Sequence, residues 1–299
     1  MAKTVSVGEQ TKKFLGDYAQ RIALHDLVVA KTREVVAVIA EHQIPNQARW
    51  SAEELQEQLQ WFEDATSELR TMESLIAYWG DPHHRQTLVL PVARLAGDPV
   101  AASSSSGRHP LDWYPVLLAA YCIGIAAVAA GRYDNLVNML HASIAAPIHW
   151  HSDSRLGLLM IDGTANLVKA LKILPEHKNQ HVPRSEHLFT LLQQELDELF
   201  YLEGNYETYF DRFEVLLALE YAHMDTLGGR ARVWGPPGRF AWKLRREVAS
   251  SPFHRITAEA EAQGDAWPPI RAGLFGGSAQ RFQEISALFA DWIAGAGWY

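Results

Sequence analysis

The chain has 299 residues, 48% apolar and 21% charged, a mixture able to bury a sizeable core and unlike a disordered, collagenous or coiled-coil polypeptide. Lysine and arginine number 27 against 35 acids, and the net charge of -8 argues against coating nucleic acid or an anionic membrane by overall charge, though a local basic patch could still grip phosphate. The one cysteine, Cys122, leaves neither an internal disulfide nor a cysteine-based metal site; with no apolar stretch behind Met1, the expected compartment is the cytoplasm.

From Glu9 to His42, Phe14, Tyr18, Ile22, Val28, Val35 and Ile39 recur at helical intervals with no interior proline, which predicts one long amphipathic helix. Pro45 punctuates its end. Ser51 followed by Glu54 spells a capping box, and Leu55, Leu59, Phe62, Leu69, Met72 and Ile76 carry a second helix to Trp79. Asp81 before Pro82 opens a short third helix through Leu88, Val92 and Leu95. These elements make a three-helix unit over 1–96. A serine-rich linker loop follows over 97–109, with four serines from Ser103 to Ser106, and then a C-terminal helical body over 110–299.

Within that body, Trp113 to Ala130 is eighteen residues without a charge, the length of a membrane span. Pro115, Gly124 and the alanines make it weakly hydrophobic, and Asp112 and Arg132 bound it closely, so it is expected to be a central helix buried on all sides. Gly131 ends it, in a turn like that of a tetratricopeptide hairpin, and the next helix carries Leu136, Met139, Leu140 and Ile144 and stops before Pro147. No second copy occurs at a period of about 34 residues, so the hairpins stack irregularly. Further helices are expected at Thr164 to Leu174, Ser185 to Leu202 with Ser185 as cap, Asn205 to Met224 with Asn205 as cap, Pro252 to Gln263, and Ser278 to Ala294. No strand pattern is visible, and the predicted class is all-α.

Signature loops for nucleotide hydrolysis, dinucleotide binding, esterase and zinc-protease chemistry are missing. Two histidines, His149 and His151, alternate toward Asp153, but a loop with two imidazoles has neither the ligand count nor the rigidity of a metal site. The spacing of Glu220 and His223 matches one half of a di-iron motif; no second copy accompanies it, and a surface pair is the simpler expectation. No metal and no cofactor are therefore assigned. Tyr201, Tyr206, Tyr209, Phe210, Phe213 and Tyr221 read as core aromatics. The last helix has an apolar face through Phe282, Ile285, Leu288, Phe289, Trp292 and Ile293, a docking surface if nothing inside the chain covers it.

The strongest local signal lies between Gly228 and Arg246. Arg230, Arg232, Arg239, Lys243, Arg245 and Arg246 occur there without an acid, interleaved with Trp234, Phe240 and Trp242 around Gly235-Pro236-Pro237-Gly238. Guanidinium forks hold phosphate bidentately and indoles stack on bases, so Arg230, Arg232, Trp234, Arg239, Trp242, Lys243, Arg245 and Arg246 are candidate ligand- or partner-binding residues. The stretch from Glu195 to Asp225 carries nine acids against Arg212 alone, which makes intramolecular pairing the competing expectation.

Three stretches resemble a family of bacterial helical regions: Tyr114 to Tyr121 running on to Ala130-Gly131-Arg132-Tyr133; Tyr206 with Asp211 to Leu219, continuing to Gly235 to Trp242; and, more weakly, Ala77-Tyr78-Trp79-Gly80-Asp81-Pro82. The likeness spans about Phe14 to Arg246 and rests on hydrophobic and turn patterns. Members usually stand C-terminal to sirtuin-like, Toll/interleukin-receptor-like or nucleotide-binding modules, some linked to phage defence, which implies a sensing or scaffolding role. This chain shows no such front, so a separate partner supplies it or only the helical part is represented. The expected function is a non-catalytic interaction or sensor module that recognises a protein partner in a bacterial defence assembly, without membrane contact and with homo-oligomerisation left open. One alternative is a nucleotide or nucleic-acid binder acting through 228–246. Another is a helical metalloenzyme using Glu220 and His223 with Asp211 or Glu214.

Overall fold

Every regular element is helical among the residues that the computed structural model describes, which are 5–42, 44, 50–97, 111–144, 155–228, 233–246 and 250–295. The helices are α1 (Val7–Leu15), α2 (Arg21–Glu41), α3 (Ala52–Trp79), α4 (Arg85–Gly97), α5 (Tyr114–Ala129), α6 (Tyr133–Leu140) and α7 (Leu156–Gly163). Then come α8 (Leu167–Leu171), α9 (Pro183–Phe200), α10 (Tyr206–Leu227), α11 (Arg239–Arg246), α12 (Pro252–Gln263), α13 (Pro268–Ala272) and α14 (Ala279–Gly295). The chain is an all-α bundle. Extended pairing among the described residues is confined to one isolated antiparallel bridge between Ser143 and Arg155.

The long N-terminal helix is interrupted. Gly16 ends α1, the Asp17 carboxylate accepts the Ala19 N–H at 3.0 Å, and a short 3₁₀ turn at Tyr18–Gln20 redirects the chain into α2. An aspartate that caps a new turn offers the backbone an alternative to continuing the old one. The kink rotates the face: Leu24, Val28 and Val35 enter the core, while Tyr18 and Ile22 are left exposed. The Ser51 and Glu54 capping box is made in full, at 3.1 Å and 2.8 Å.

The core is organised on α5, whose residues from Tyr114 to Val128 are all buried. It packs along α3, with α6 and α10 on its other sides. Gly124 is what allows the last contact, because a Cβ there would run into the Phe213 ring on α10. No helix among the described residues is long and apolar enough to cross a membrane. Charge is buried beside α5 as well. Arg70 on α3 bonds Glu195 on α9 at 2.9 Å, and the neighbouring Glu73, fully buried, has its carboxyl pushed by burial well above the usual carboxylate range.

Other expectations are corrected. The helix α7, which precedes the helix expected from Thr164 to Leu174, was not expected, because it is buried nearly all round and has no clear periodicity; the expected helix is cut to the five residues of α8. The helix α9 begins at Pro183, so Ser185 is already inside its first turn and is not its cap. Asn205 precedes α10, but its side chain makes no capping bond. Pro91 is carried inside α4. The apolar face of α14 is packed internally through Phe282, Ile285, Phe289 and Ile293, leaving Leu288 half exposed. Gly97, expected to open the serine-rich linker over 97–109, still belongs to α4, and the rest of that linker and the His149, His151 and Asp153 group lie outside the described residues.

Candidate ligand cavity

Four segments far apart in the chain enclose a cavity of about 400 Å3. Ile161 and Asp162 come from α7, Ala165, Val168 and Lys169 from the α7 to α8 region, and His181, Val182, Arg184 and Ser185 from the start of α9. Trp234, Pro236 and Pro237 close one side and Trp292 of α14 completes it. The lining is mostly apolar with a few polar groups, the usual make-up of a small-molecule site. Ala165, Lys169 and His181 are exposed and stand on the solvent side.

Sequence explains how the Trp-Gly-Pro-Pro-Gly segment comes to lie there. Two prolines fix φ and donate no N–H, so the segment cannot join the preceding helix. Gly238 then lets it pass directly over α10, since a Cβ at that position would collide with the Glu214 carboxylate. Trp234 meets Tyr221 edge-on, with ring centroids 5.2 Å apart, and Trp292 at 6.3 Å, so two indoles form one corner of the cavity.

Beneath the cavity is a buried polar junction. Ser185 Oγ donates to Glu214 Oε2 at 2.7 Å and accepts the Arg239 N–H at 2.9 Å, while Tyr121 donates to Glu214 Oε1 at 3.0 Å. The Arg239 N–H also reaches Glu214 Oε2 at 3.0 Å. One carboxyl thus ties α5, α9, α10 and the start of α11. Burial pushes the Glu214 carboxyl up to about 7, against the lowering effect of the Ser185 hydroxyl and the Arg239 N–H and with the nearby Asp211 charge adding to the rise. The Ser185 oxygen is spent in both directions on protein groups, the bonding of a structural bridge.

Arg184 stands next to this junction. It is 7% exposed, and its Nη1 donates to Thr164 Oγ1 at 3.2 Å. It also interacts with a second hydroxyl, that of Tyr121. Asp162, across the cavity, accepts the Tyr221 hydroxyl at 2.6 Å.

Of the four residues singled out by sequence whose side chains are described, Trp234, Arg239, Trp242 and Lys243, the first lines the cavity and the other three do not. The segment expected to be a loop is helical from Arg239, because α11 is held against acids on its neighbours. Arg239 Nη2 donates to Glu207 at 3.2 Å, its Nη1 lies 3.5 Å from Glu186, and its guanidinium sits 3.5 Å over the Phe189 ring. Lys243 bonds Glu207 at 2.6 Å and also Asp211, and Trp242 Nε1 donates to Glu186 at 3.2 Å. The Lys243 hydrogen bond holds Glu207 below the usual carboxylate range, whereas burial outweighs the same lysine at Asp211 and raises it. Arg245 and Arg246 occupy the last turn of α11; Arg230 and Arg232 lie outside the described residues.

The half-motif of Glu220 and His223 is buried, not on the surface as expected. Glu220 takes His141 Nε2 at 2.7 Å and the Phe275 N–H at 2.7 Å, and Arg281 Nε bonds His223 Nδ1 at 3.2 Å. These groups are committed to packing α14 and its preceding turn onto α10. Among the described residues, no group of three or more histidine, cysteine or acidic side chains is arranged to hold a metal ion. Arg184 and Lys169 were not marked by sequence, while Ser185 was read as a helix cap and Trp292 as part of the apolar face of the last helix. The signal that could have found Arg184 is a cation in an apolar first turn behind Val182 and Pro183. No family model, curated protein or solved structure matches the chain.

Proposed function

We propose that this protein is a non-catalytic helical sensor and interaction module, which binds a small molecule in the cavity between α7, α9 and α14 and presents that state to a protein partner. One observation carries the reading: the cavity wall of Trp234, Pro236 and Pro237 leads without a break into α11, which salt bridges fasten to α9 and α10. A ligand against those residues would change the packing of an outer helix. That is how a buried binding event reaches a surface that a partner can read. The family resemblance adds the setting, a bacterial defence assembly in which this chain senses and another protein acts.

Native mass spectrometry of the gently purified protein, beside its Ala165→Trp variant, tests the reading. The added indole would occupy the cavity. The parent protein should carry a small molecule, either as isolated or after incubation with a metabolite extract of its source cells, and the variant should not. In the parent, occupancy should also slow amide exchange over 233–246. A parent that takes up nothing from the extract would end the proposal.

A further inference from the structure

The geometry points to the chemical class of the ligand: a small organic anion, a phosphate monoester or a free carboxylate on a flat apolar body. This inference rests on the cavity being a binding site and deepens that reading. It begins with Arg184. A guanidinium this well buried is ordinarily balanced by a carboxylate, because taking the charge out of water is costly. Among the described residues no carboxylate pairs with it; its anchors, the hydroxyls of Thr164 and Tyr121, are neutral. Beyond Tyr121 lies Glu214, whose carboxyl is held by Ser185, Tyr121 and the Arg239 N–H and does not reach Arg184.

A second cation shares the space. Lys169 lines the same cavity from α8 and has no acidic partner among the described residues. The first turn of α9, where the backbone N–H groups of a helix start are unsatisfied, opens onto it at Val182, Arg184 and Ser185. The one acid in the lining, Asp162, is engaged by Tyr221. The polar side of the cavity is thus net positive. The opposite side is the Trp234 and Trp292 corner with Pro236 and Pro237, which accepts a flat apolar group. Guanidinium forks bind phosphate and carboxylate oxygens in pairs, and indoles stack on rings, so the two sides specify a head and a body.

The test is isothermal titration of the full chain with three probes that share one ring system: 2-naphthyl phosphate, neutral 2-naphthol and cationic 2-naphthylmethylamine. The phosphate should bind at least about tenfold more tightly than the naphthol, the amine more weakly still, and Ala165→Trp should abolish all binding. Arg184→Gln and Lys169→Ala should each weaken the phosphate by about tenfold while leaving naphthol unchanged. Lys169 is exposed, so its variant keeps the test alive if Arg184→Gln fails to fold. Naphthol binding as tightly as the phosphate, or a phosphate affinity indifferent to Lys169→Ala, would overturn the anion assignment and leave the cavity intact. No binding by any of the three probes would sink the cavity itself.

Discussion

Glu214 is where residue chemistry and fold meet. Its ordinary carboxyl value of 4.5 is raised to about 7 in the folded protein. The folded state therefore holds the proton more tightly than the unfolded chain, and this group stabilises folding fully below about pH 4.5, losing that contribution as pH rises through about 7. Each tenfold gain in proton affinity is worth roughly 1.4 kcal/mol, so the change is about 3 kcal/mol. Glu207 and Glu259, held low by Lys243 and Arg212, act in the opposite sense. Comparing the parent with Glu214→Gln isolates the one group: urea titrations at a series of pH values should show the parent losing about 3 kcal/mol relative to the variant between the two ends of that window. A pH-independent difference would mean that folding leaves the proton affinity of Glu214 unchanged. The sequence names this glutamate only as a candidate metal ligand and does not mark its role as a buried junction, since its donors Tyr121, Ser185 and the Arg239 N–H come from three other segments.

At the scale of elements, α11 shows how a basic helix is kept on an acidic protein. Two of its cations, Arg239 and Lys243, are mostly buried against Glu186, Glu207 and Asp211. Composition foretold both sides of this pairing, the acids before Asp225 and the bases after it, but not which helix faces would meet. Lys243→Ala leaves Asp211, which is 2% exposed, without its cation. Removing one partner of a buried pair costs about 3 kcal/mol, seen as a lower urea midpoint, and Asp211→Asn in the same background should restore most of it. A loss below about 0.5 kcal/mol would place the pair with ordinary surface salt bridges. The break between α1 and α2 makes the complementary point. The hydrophobic spacing read straight through it, because a period cannot register one aspartate bonding its own backbone two residues on.

For the whole molecule, the governing feature is the fully buried α5, with α3, α6 and α10 around it. Its packing against α10 depends on Gly124, so Gly124→Ala should destabilise by about 1 to 3 kcal/mol through overpacking, even though alanine favours the helix. Adding Phe213→Leu, which removes the ring that the new methyl meets, should recover part of the loss in thermal melts. Full additivity of the two changes would show that the residues do not touch. The sequence by itself determined that the chain is helical, where most helices start and stop, and that the stretch around Gly124 is buried on all sides. These follow from local periodicity, capping chemistry and composition, each written within a few turns of chain. Only the tertiary structure decided that Asp162, Arg184, Trp234 and Trp292 share one cavity, that Arg184 is buried without a carboxylate partner among the described residues, and that Arg239 and Lys243 are spent internally. Those are contacts between distant segments, set by how helix faces pack and not by any spacing along the chain.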